Sequence, residues 1–170
     1  MHNQVPKAWY VGWSRGKRTA SLDVGAERNE HLSSHVTEEA QGVLVLAQIK
    51  VILERARGEG VEQIMLSGSE PTLRRDLGAI IRNATKRGLA AGVRTDARRF
   101  TVPGYAQKMA DSGLRYAEVV LYGPQLIHDV LGQDASFEQT REGIETLLEV
   151  GVEVVLRCPV VRGNAEHLGF

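Results

Sequence analysis

The sequence predicts an α/β fold: a parallel sheet of repeated βα units whose spacing suits a (β/α) barrel, a partial (β/α) barrel or a doubly wound sheet. Three observations carry that reading. From residue 36 onward amphipathic stretches alternate with short runs rich in Val, Ile and Leu. Glycines at 60, 88, 113 and 151 stand where each amphipathic stretch stops, the position at which a helix most readily turns left-handed. Parallel strands need long crossovers, and crossover helices bury the sheet, so the expected sheet is covered on both faces.

The units follow in order. "AWYVGW", Ala8 to Trp13, is the expected first strand, with the polar stretch Ser14 to Ser34 as the loop above its C-terminal end. Residues 1–35 thus form an N-terminal strand and loop, and residues 36–170 the βα repeat region of one domain. Thr37 is the expected cap of the first helix, Glu38 and Glu39 favour its N-terminal dipole, and Ala40, Val43, Leu44, Ala47 and Val51 make its stripe as far as Gly58 and Gly60. Val61 to Leu66 is the next strand. Thr72 then caps a helix whose Leu77, Ile80, Ile81 and Ala84 face inward up to Gly88. Leu89 to Thr95 repeats the strand, and Pro103 suits the first turn of a helix carrying Ala106, Met109 and Ala110 to Gly113. Ala117 to Leu121 is a fourth strand. Ser136 and Gln139 predict a capping box for a helix lined by Ile144, Leu147 and Leu148, after which Gly151 leads into Val152 to Leu156. A further helix is expected from Asn164. A closed barrel needs more strands than this, so the sheet is read as open, or the rest of the domain as lying elsewhere.

Composition bounds the function. The chain has 170 residues, 42% hydrophobic and 25% charged, as in an ordinary globular domain. Lys+Arg and Asp+Glu are both 21, so no basic excess favours nucleic acid. The longest apolar run, Gly42 to Ala47, is far too short to span a membrane, and a cytoplasmic location is expected. The single cysteine, Cys158, can form no internal disulfide, and no cysteine cluster is present to hold zinc or an iron-sulfur centre. Burial on a strand is the expected state of Cys158.

Ligands of parallel α/β folds sit beyond the C-terminal strand ends, and "SGSEP", Ser67 to Pro71, occupies such a place. Gly68 lets backbone approach a ligand, Glu70 and nearby carbonyls offer acceptors for an ammonium group, and Pro71 restricts Glu70 to extended conformations. The competing reading is an ordinary βα turn in which Glu70 serves the following helix.

"LSGSEPTLRRDLGAIIRNATKRGL" resembles the "GGEP" strand and helix of the radical S-adenosylmethionine (SAM) superfamily, with Ser69 in place of the second glycine. The likeness continues through "RTDARRF", where relatives often have Thr-Asn-Gly, "VVLYGPQLIHDVLG" and "SFEQTREGIETLLEVGVEVVLRCPVVRGNAEHL", covering residues 36–168. It implies a (β/α)6 partial barrel in which the turn Ser67 to Glu70 meets the methionyl ammonium of SAM. On the same basis Ser67, Gly68, Ser69, Glu70, Thr95, Asp96 and Arg157 are the candidate cofactor-binding residues. The departure is equally plain. The family holds a [4Fe-4S] cluster on three cysteines spaced C-x3-C-x2-C after the first strand, and in the best register Lys17, Ser21 and Val24 stand there. Val120 replaces a serine common near the SAM ribose, and Asp96 replaces the Asn of Thr-Asn-Gly.

The sequence therefore leads to a degenerate radical-SAM-like domain, without a [4Fe-4S] cluster and without catalytic or metal residues. It would act as a binding or assembly module for a protein or peptide partner or as a homo-oligomer, with residual SAM binding in question. Two alternatives stand beside it: a fragment or altered form of a genuine radical SAM enzyme carrying cluster and SAM, or a non-radical enzyme using a strand-end pocket around Glu70, Asp96 and Arg157. Among other candidates, His31 and His35 with Glu27 and Glu30 read as solvated loop, since the Ser-Ser between the histidines favours turns. His128 and Asp129, being adjacent, do not face each other on a helix. Arg74, Arg75, Arg94, Arg98 and Arg99 with Lys17 and Arg18 offer a weaker anion-binding rim, and Trp9, Tyr10 and Trp13 a packing or partner surface.

Overall fold

The computed structural model describes residues 16–25, 44–132 and 135–167. Five strands, β1 (Thr19–Asp23), β2 (Gln63–Ser67), β3 (Ala90–Thr95), β4 (Leu114–Val120) and β5 (Glu153–Arg157), form one sheet. All neighbours are parallel and the order is sequential, β1 to β5. An order without reversal is that of a barrel or partial barrel rather than a doubly wound sheet. Right-handed crossovers in one direction place their helices on one face. The expectation of a sheet covered on both faces is therefore corrected.

The register shows which face is which. Leu22, Leu66, Val93, Ala117 and Val154 stand side by side across the strands. They belong to or pack against the apolar core with residues of α1 (Leu46–Gly58), α2 (Leu77–Lys86), α3 (Tyr105–Asp111) and α5 (Phe137–Glu149). The alternate row, Ser21, Met65, Gly92, Tyr116 and Glu153, faces the other way. A bulge breaks the β3–β4 register, Ala91 pairing with Leu114 but Gly92 with Tyr116, which leaves Arg115 as the extra residue. Bulges increase strand bend and twist, as a curved sheet needs. Gly92 has a separate purpose: a Cβ there would lie 2.0 Å from the Tyr116 ring, so its absence lets that ring lie across the sheet as a floor.

The helix of clearest period matches its reading. Leu77, Ile80, Ile81 and Ala84 of α2 are fully buried, and each large aliphatic side chain so placed contributes about 1.5–3 kcal/mol. Other assignments are corrected. β1 lies inside the stretch read as loop, whereas Ala8 to Trp13 and their aromatics fall outside the described residues. α1 is capped by Val45, whose N–H donates to Gln48 Oε1 at 3.0 Å, so Thr37, also outside the described residues, is not its cap. Its buried stripe is Ile49, Leu53 and Ala56; Ala47 and Val51 are exposed because the packing of α1 against α2 selects the other phase. Leu148 is likewise exposed. The Ser136–Gln139 capping box does not form: Asp129 Oδ1 accepts the Phe137 N–H at 2.8 Å instead. Beyond Asn164 there is a 3-10 turn, Ala165–His167, rather than an α-helix. A helix that the sequence pattern did not signal, α4 (Gln125–Leu131), precedes α5.

Two glycines test this packing. Gly143 in α5 passes so close to the Ala97 carbonyl that a Cβ would lie 2.1 Å from its oxygen, and Ala97 is itself buried with φ of 65°. Gly143→Ala should lose roughly 1–3 kcal/mol in urea unfolding, overlap with backbone outweighing the gain of about 1 kcal/mol in helix propensity. Gly58→Ala, with nothing within 4 Å of the added carbon, should instead gain roughly 0.5–1 kcal/mol.

Candidate functional site

At the C-terminal strand ends the chain between β2 and α2 makes a sharp turn. Glu70 is extended, φ −152° and ψ 96°, and caps the 3-10 turn Pro71–Leu73, whereas α2 starts after Asp76, so Thr72 is not the cap of that helix. Its carboxylate is 7% exposed and accepts four hydrogen bonds: Thr72 N at 3.0 Å, Thr72 Oγ1 at 2.6 Å, Thr95 Oγ1 at 2.9 Å and Asp96 N at 2.8 Å. Two donors come from its own turn and two from the end of β3. Burial, then the nearby Asp96 charge, push the Glu70 carboxyl above the usual range, against the pull of those donors.

The neighbouring groups are also engaged. Gly68 has φ of 141°, and a Cβ on it would meet Asp23 Oδ1 at 2.9 Å and Gly25 N at 3.3 Å, so the turn fits against the end of β1 only without a side chain. Ser67 O accepts the Val24 N–H at 2.9 Å, and Ser67 Oγ lies 3.0 Å from Ser21 Oγ. The Asp96 carboxylate accepts from Arg98 N at 3.0 Å and Arg98 Nε at 2.9 Å, while its carbonyl accepts from Thr140 Oγ1 at 3.0 Å.

A cleft of about 280 Å³ opens above the sheet beside these residues. Gly68, Ser69, Glu70, Thr95 and Asp96 all line it, facing Val120, Tyr122 and His128. Of the seven sequence candidates, Ser67 faces β1, and Arg157 reaches the cleft region only indirectly. Its Nε lies 3.8 Å from Glu118 Oε1, which accepts from Arg94 Nε at 2.5 Å. Glu118 is 8% exposed and was not anticipated; a lone Glu in "YAEVV" beside a lone Arg in "AAGVRT" is the signal that marks it.

His128 is buried and spans two elements. Its Nδ1 accepts the Tyr122 N–H at 3.3 Å, so Nε2 carries the proton and donates to Ser136 Oγ at 3.2 Å. Burial holds its pKa below the ordinary histidine value. Asp129 caps α5, so the two form no couple.

The arginines do not gather into an open cationic rim. Arg94 and Arg98 pair with Glu118 and Asp96, Arg99 lies over the Tyr105 ring at 5.2 Å, and the Arg74 side chain is 8% exposed. Arg74 pairs with Asp76 at 2.8 Å and donates to the carbonyls of Val24 and Leu44, joining the two ends of the connection between β1 and α1. That connection begins after Asp23, which overturns the register of Lys17, Ser21 and Val24: Lys17 precedes β1 and Ser21 lies within it. Residues 24–45 contain no cysteine. Cys158 stands just past β5 and is exposed, contrary to the expected burial. His31, His35, Glu27 and Glu30 fall outside the described residues. Among the described residues no group of three His, Cys, Asp or Glu could hold a metal ion, and no helix is long and apolar enough to cross a membrane.

The sequence model of the Radical SAM superfamily matches residues 28–167. A GTP 3',8-cyclase of Sulfurovum sp. is 29% identical over 127 residues, 72% of this chain and 38% of that protein. An AdoMet-dependent heme synthase of Oleidesulfovibrio alaskensis is 30% identical over 133 residues, 77% of this chain and 34% of that protein. A solved structure, native anSMEcpe with bound AdoMet and Cp18Cys peptide, superposes with a TM-score of 0.70 over 89% of this chain and 45% of that one, at 15% identity. The chain thus spans well under half the length of these curated relatives.

Two measurements probe the site. In Glu70→Gln one acceptor oxygen becomes an amide nitrogen, leaving Asp96 N or the Thr72 and Thr95 donors unmatched; urea unfolding should show a loss of about 1–3 kcal/mol. The His128 shift has a definite sign. With the folded pKa lowered, the unfolded state takes up the proton first, so stability falls as pH drops below about 6.5, the ordinary histidine value. The stability difference between wild type and His128→Gln should therefore move against wild type between pH 7.5 and 5.5.

Proposed function

The chain belongs to the Radical SAM superfamily, and from that premise we propose that it is a member that has lost the [4Fe-4S] cluster and serves as a binding module at the strand-end cleft, without radical catalysis. The observation that carries this reading is the combination of a strand-end cleft walled by Ser69 and Val120 with a connection from β1 to α1 that has no thiol. Three thiolates are what bind such a cluster and leave one iron open to SAM. The donor set does not meet that requirement: besides carbonyls, carboxylates and hydroxyls the connection offers only two imidazoles, His31 and His35, where three thiolates are needed. The relevant connection is internal to the chain, so additional sequence at either end would not supply cysteines to it.

The ligand proposed is SAM or a related molecule with an α-amino-acid end. Gly68 and Ser69 supply close-lying backbone, and Val120 an apolar wall. Glu70 acts by holding the turn, its oxygens being occupied by donors from β3 and the 3-10 turn. That occupancy also weighs against a non-radical enzyme using Glu70 and Asp96 as free carboxylates, since Asp96 is held by Arg98. Without an iron to chelate, SAM loses its strongest attachment, and each missing charge-assisted contact costs about 1.5–3 kcal/mol. Affinity near ~100 µM or weaker is expected.

Anaerobic reconstitution with iron and sulfide should give no broad absorption near ~400 nm; a brown protein with that band would overturn the loss of the cluster. Calorimetry should give a weak saturable heat with SAM that disappears in Val120→Trp, whose ring fills the cleft. No heat in wild type, or equal heat in both proteins, would remove SAM from the cleft.

A further inference from the structure

Tyr122 follows β4 and lines the cleft across from Glu70. Its peptide groups are tied from two directions by side chains of other elements. The N–H donates to His128 Nδ1 at 3.3 Å, and the C=O accepts from Asn164 Nδ2 at 2.9 Å. The next residue, Gly123, has φ of 140°, and Pro124 then leads into α4. Glycine reorients its backbone at the least steric cost, so the Tyr122 peptide can turn there once one of its ties is cut.

His128 is 4% exposed, its ring tilted against that of Tyr122 and edge-on to that of Phe137, with centroids 5.9 Å away in each case. Ser136 Oγ occupies Nε2. Both nitrogens are therefore engaged, and the two engagements respond differently to a proton. A proton added to the neutral imidazole goes to Nδ1 and turns an acceptor into a donor. Nδ1–H then faces the Tyr122 N–H, and a hydrogen bond becomes a contact between two donors in a buried place. Nε2–H keeps Ser136 Oγ as its acceptor. The ring is pinned by its packing and by Ser136, so the peptide beside Gly123 is the part that gives.

We propose that His128 is a positioning residue for this wall: its neutral imidazole holds the Tyr122 peptide in the orientation that shapes the cleft, and uptake of one proton at Nδ1 releases it, so that ligand binds the neutral form. The binding half of this statement rests on the reading of the cleft as a ligand site; the release of Tyr122 does not. Burial is the largest influence on the ring and opposes the proton; among the described residues Asp129 of α4 favours it, Arg98 beyond β3 opposes it and Asp96 favours it. Burial prevails, so the ring stays neutral until the pH falls below the ordinary histidine value. Neither carboxylate is at liberty to take the place of Nδ1 as acceptor, since Asp129 holds the Phe137 N–H and Asp96 holds Arg98.

NMR of the 170-residue chain without ligand decides the release. On titration from about pH 7.5 to about 4.5 the Tyr122 amide should move with the His128 ring, at one shared midpoint below about 6.5, while the amides of Val93 and Ala117 stay in place. In His128→Asn, whose Oδ1 can accept near the place of Nδ1 and does not titrate, the Tyr122 amide should lose that step. Calorimetry with SAM reads the coupling: below the midpoint the wild-type affinity should fall toward about tenfold per pH unit, as one excluding proton requires, and His128→Asn should lose that slope. The Glu70 carboxyl also titrates above the usual range, so any slope common to both proteins belongs to it. A Tyr122 amide that ignores the ring's midpoint, or one that moves only together with Val93 and Ala117, would overturn the release. Equal slopes in wild type and His128→Asn would overturn the coupling. No SAM heat at any pH, with the amide still following the ring, would remove SAM from the cleft and uphold the release. Circular dichroism identifies a variant that fails to fold, and the wild-type titration then decides alone.

Discussion

A single buried carboxylate holds the mouth of this sheet together. Glu70 sits where β2 ends, yet half of its hydrogen bonds come from the end of β3, through Thr95 Oγ1 and Asp96 N. Two parallel strands that diverge at their C-terminal ends into separate loops have no ladder to keep those loops in register. The carboxylate supplies what the ladder cannot, because two oxygens accept from donors on both sides at once. Desolvating it is costly, which is why its proton affinity is raised; four donors make the cost bearable. Everything lining the cleft on that side inherits its position from this arrangement. Asp96 is fixed through its N–H and in turn orients Arg98 and, through its carbonyl, Thr140 of α5.

The concave face shows a second arrangement of the same kind. Arg94, Glu118 and Arg157 come from three successive strands, with Glu118 between the two cations. A sheet face packed by helices could not carry such a row, since unpaired charge is expelled from an apolar core. The charges are tolerable because this face looks into the open interior. The bulge at Arg115 and the missing side chain at Gly92 shape that interior, one by bending the strand and the other by admitting the Tyr116 ring. Fold and site are thus two consequences of a one-sided layer of helices.

Much of this was legible in the sequence wherever one residue pattern admitted one solution. The α2 stripe has a single apolar phase, and β2 and β3 are short runs between glycine and charge, so both stand near the limits their pattern gives; β4 begins at Leu114, before the Ala117 that its pattern gives, because Arg115 interrupts the apolar run. α1 was misread because its sequence contains two apolar phases, and contact with α2 selects the one through Ile49 and Leu53. β1 was missed because "TASLD" carries few apolar residues, and only its pairing with β2 makes it a strand, while "AWYVGW" offers stronger local propensity. The roles of Asp129 and Ser136 were invisible for a different reason: side chains that cap or brace an element from another part of the chain leave no periodic trace. Glu70 was located correctly, but its partners on β3 could not be read from the turn alone.

The geometry of Glu70 also changes what the motif means. A Gly-Ser-Glu-Pro turn kept in a chain without cluster thiols invites the conclusion that the turn still binds a ligand. The structure supplies a reason for keeping the same residues that requires no ligand: Gly68 must lack a side chain to fit against Asp23 and Gly25, Pro71 starts the 3-10 turn, and Glu70 joins two strands. A scaffold of this kind is under pressure to retain the turn with or without a metal, because losing it would unfasten the β2 and β3 loops. The motif is therefore evidence of ancestry and of folding first. Evidence of binding has to come from groups with no such structural employment, and of the residues lining the cleft Val120 best meets that description, which makes it a more discriminating position than the glutamate.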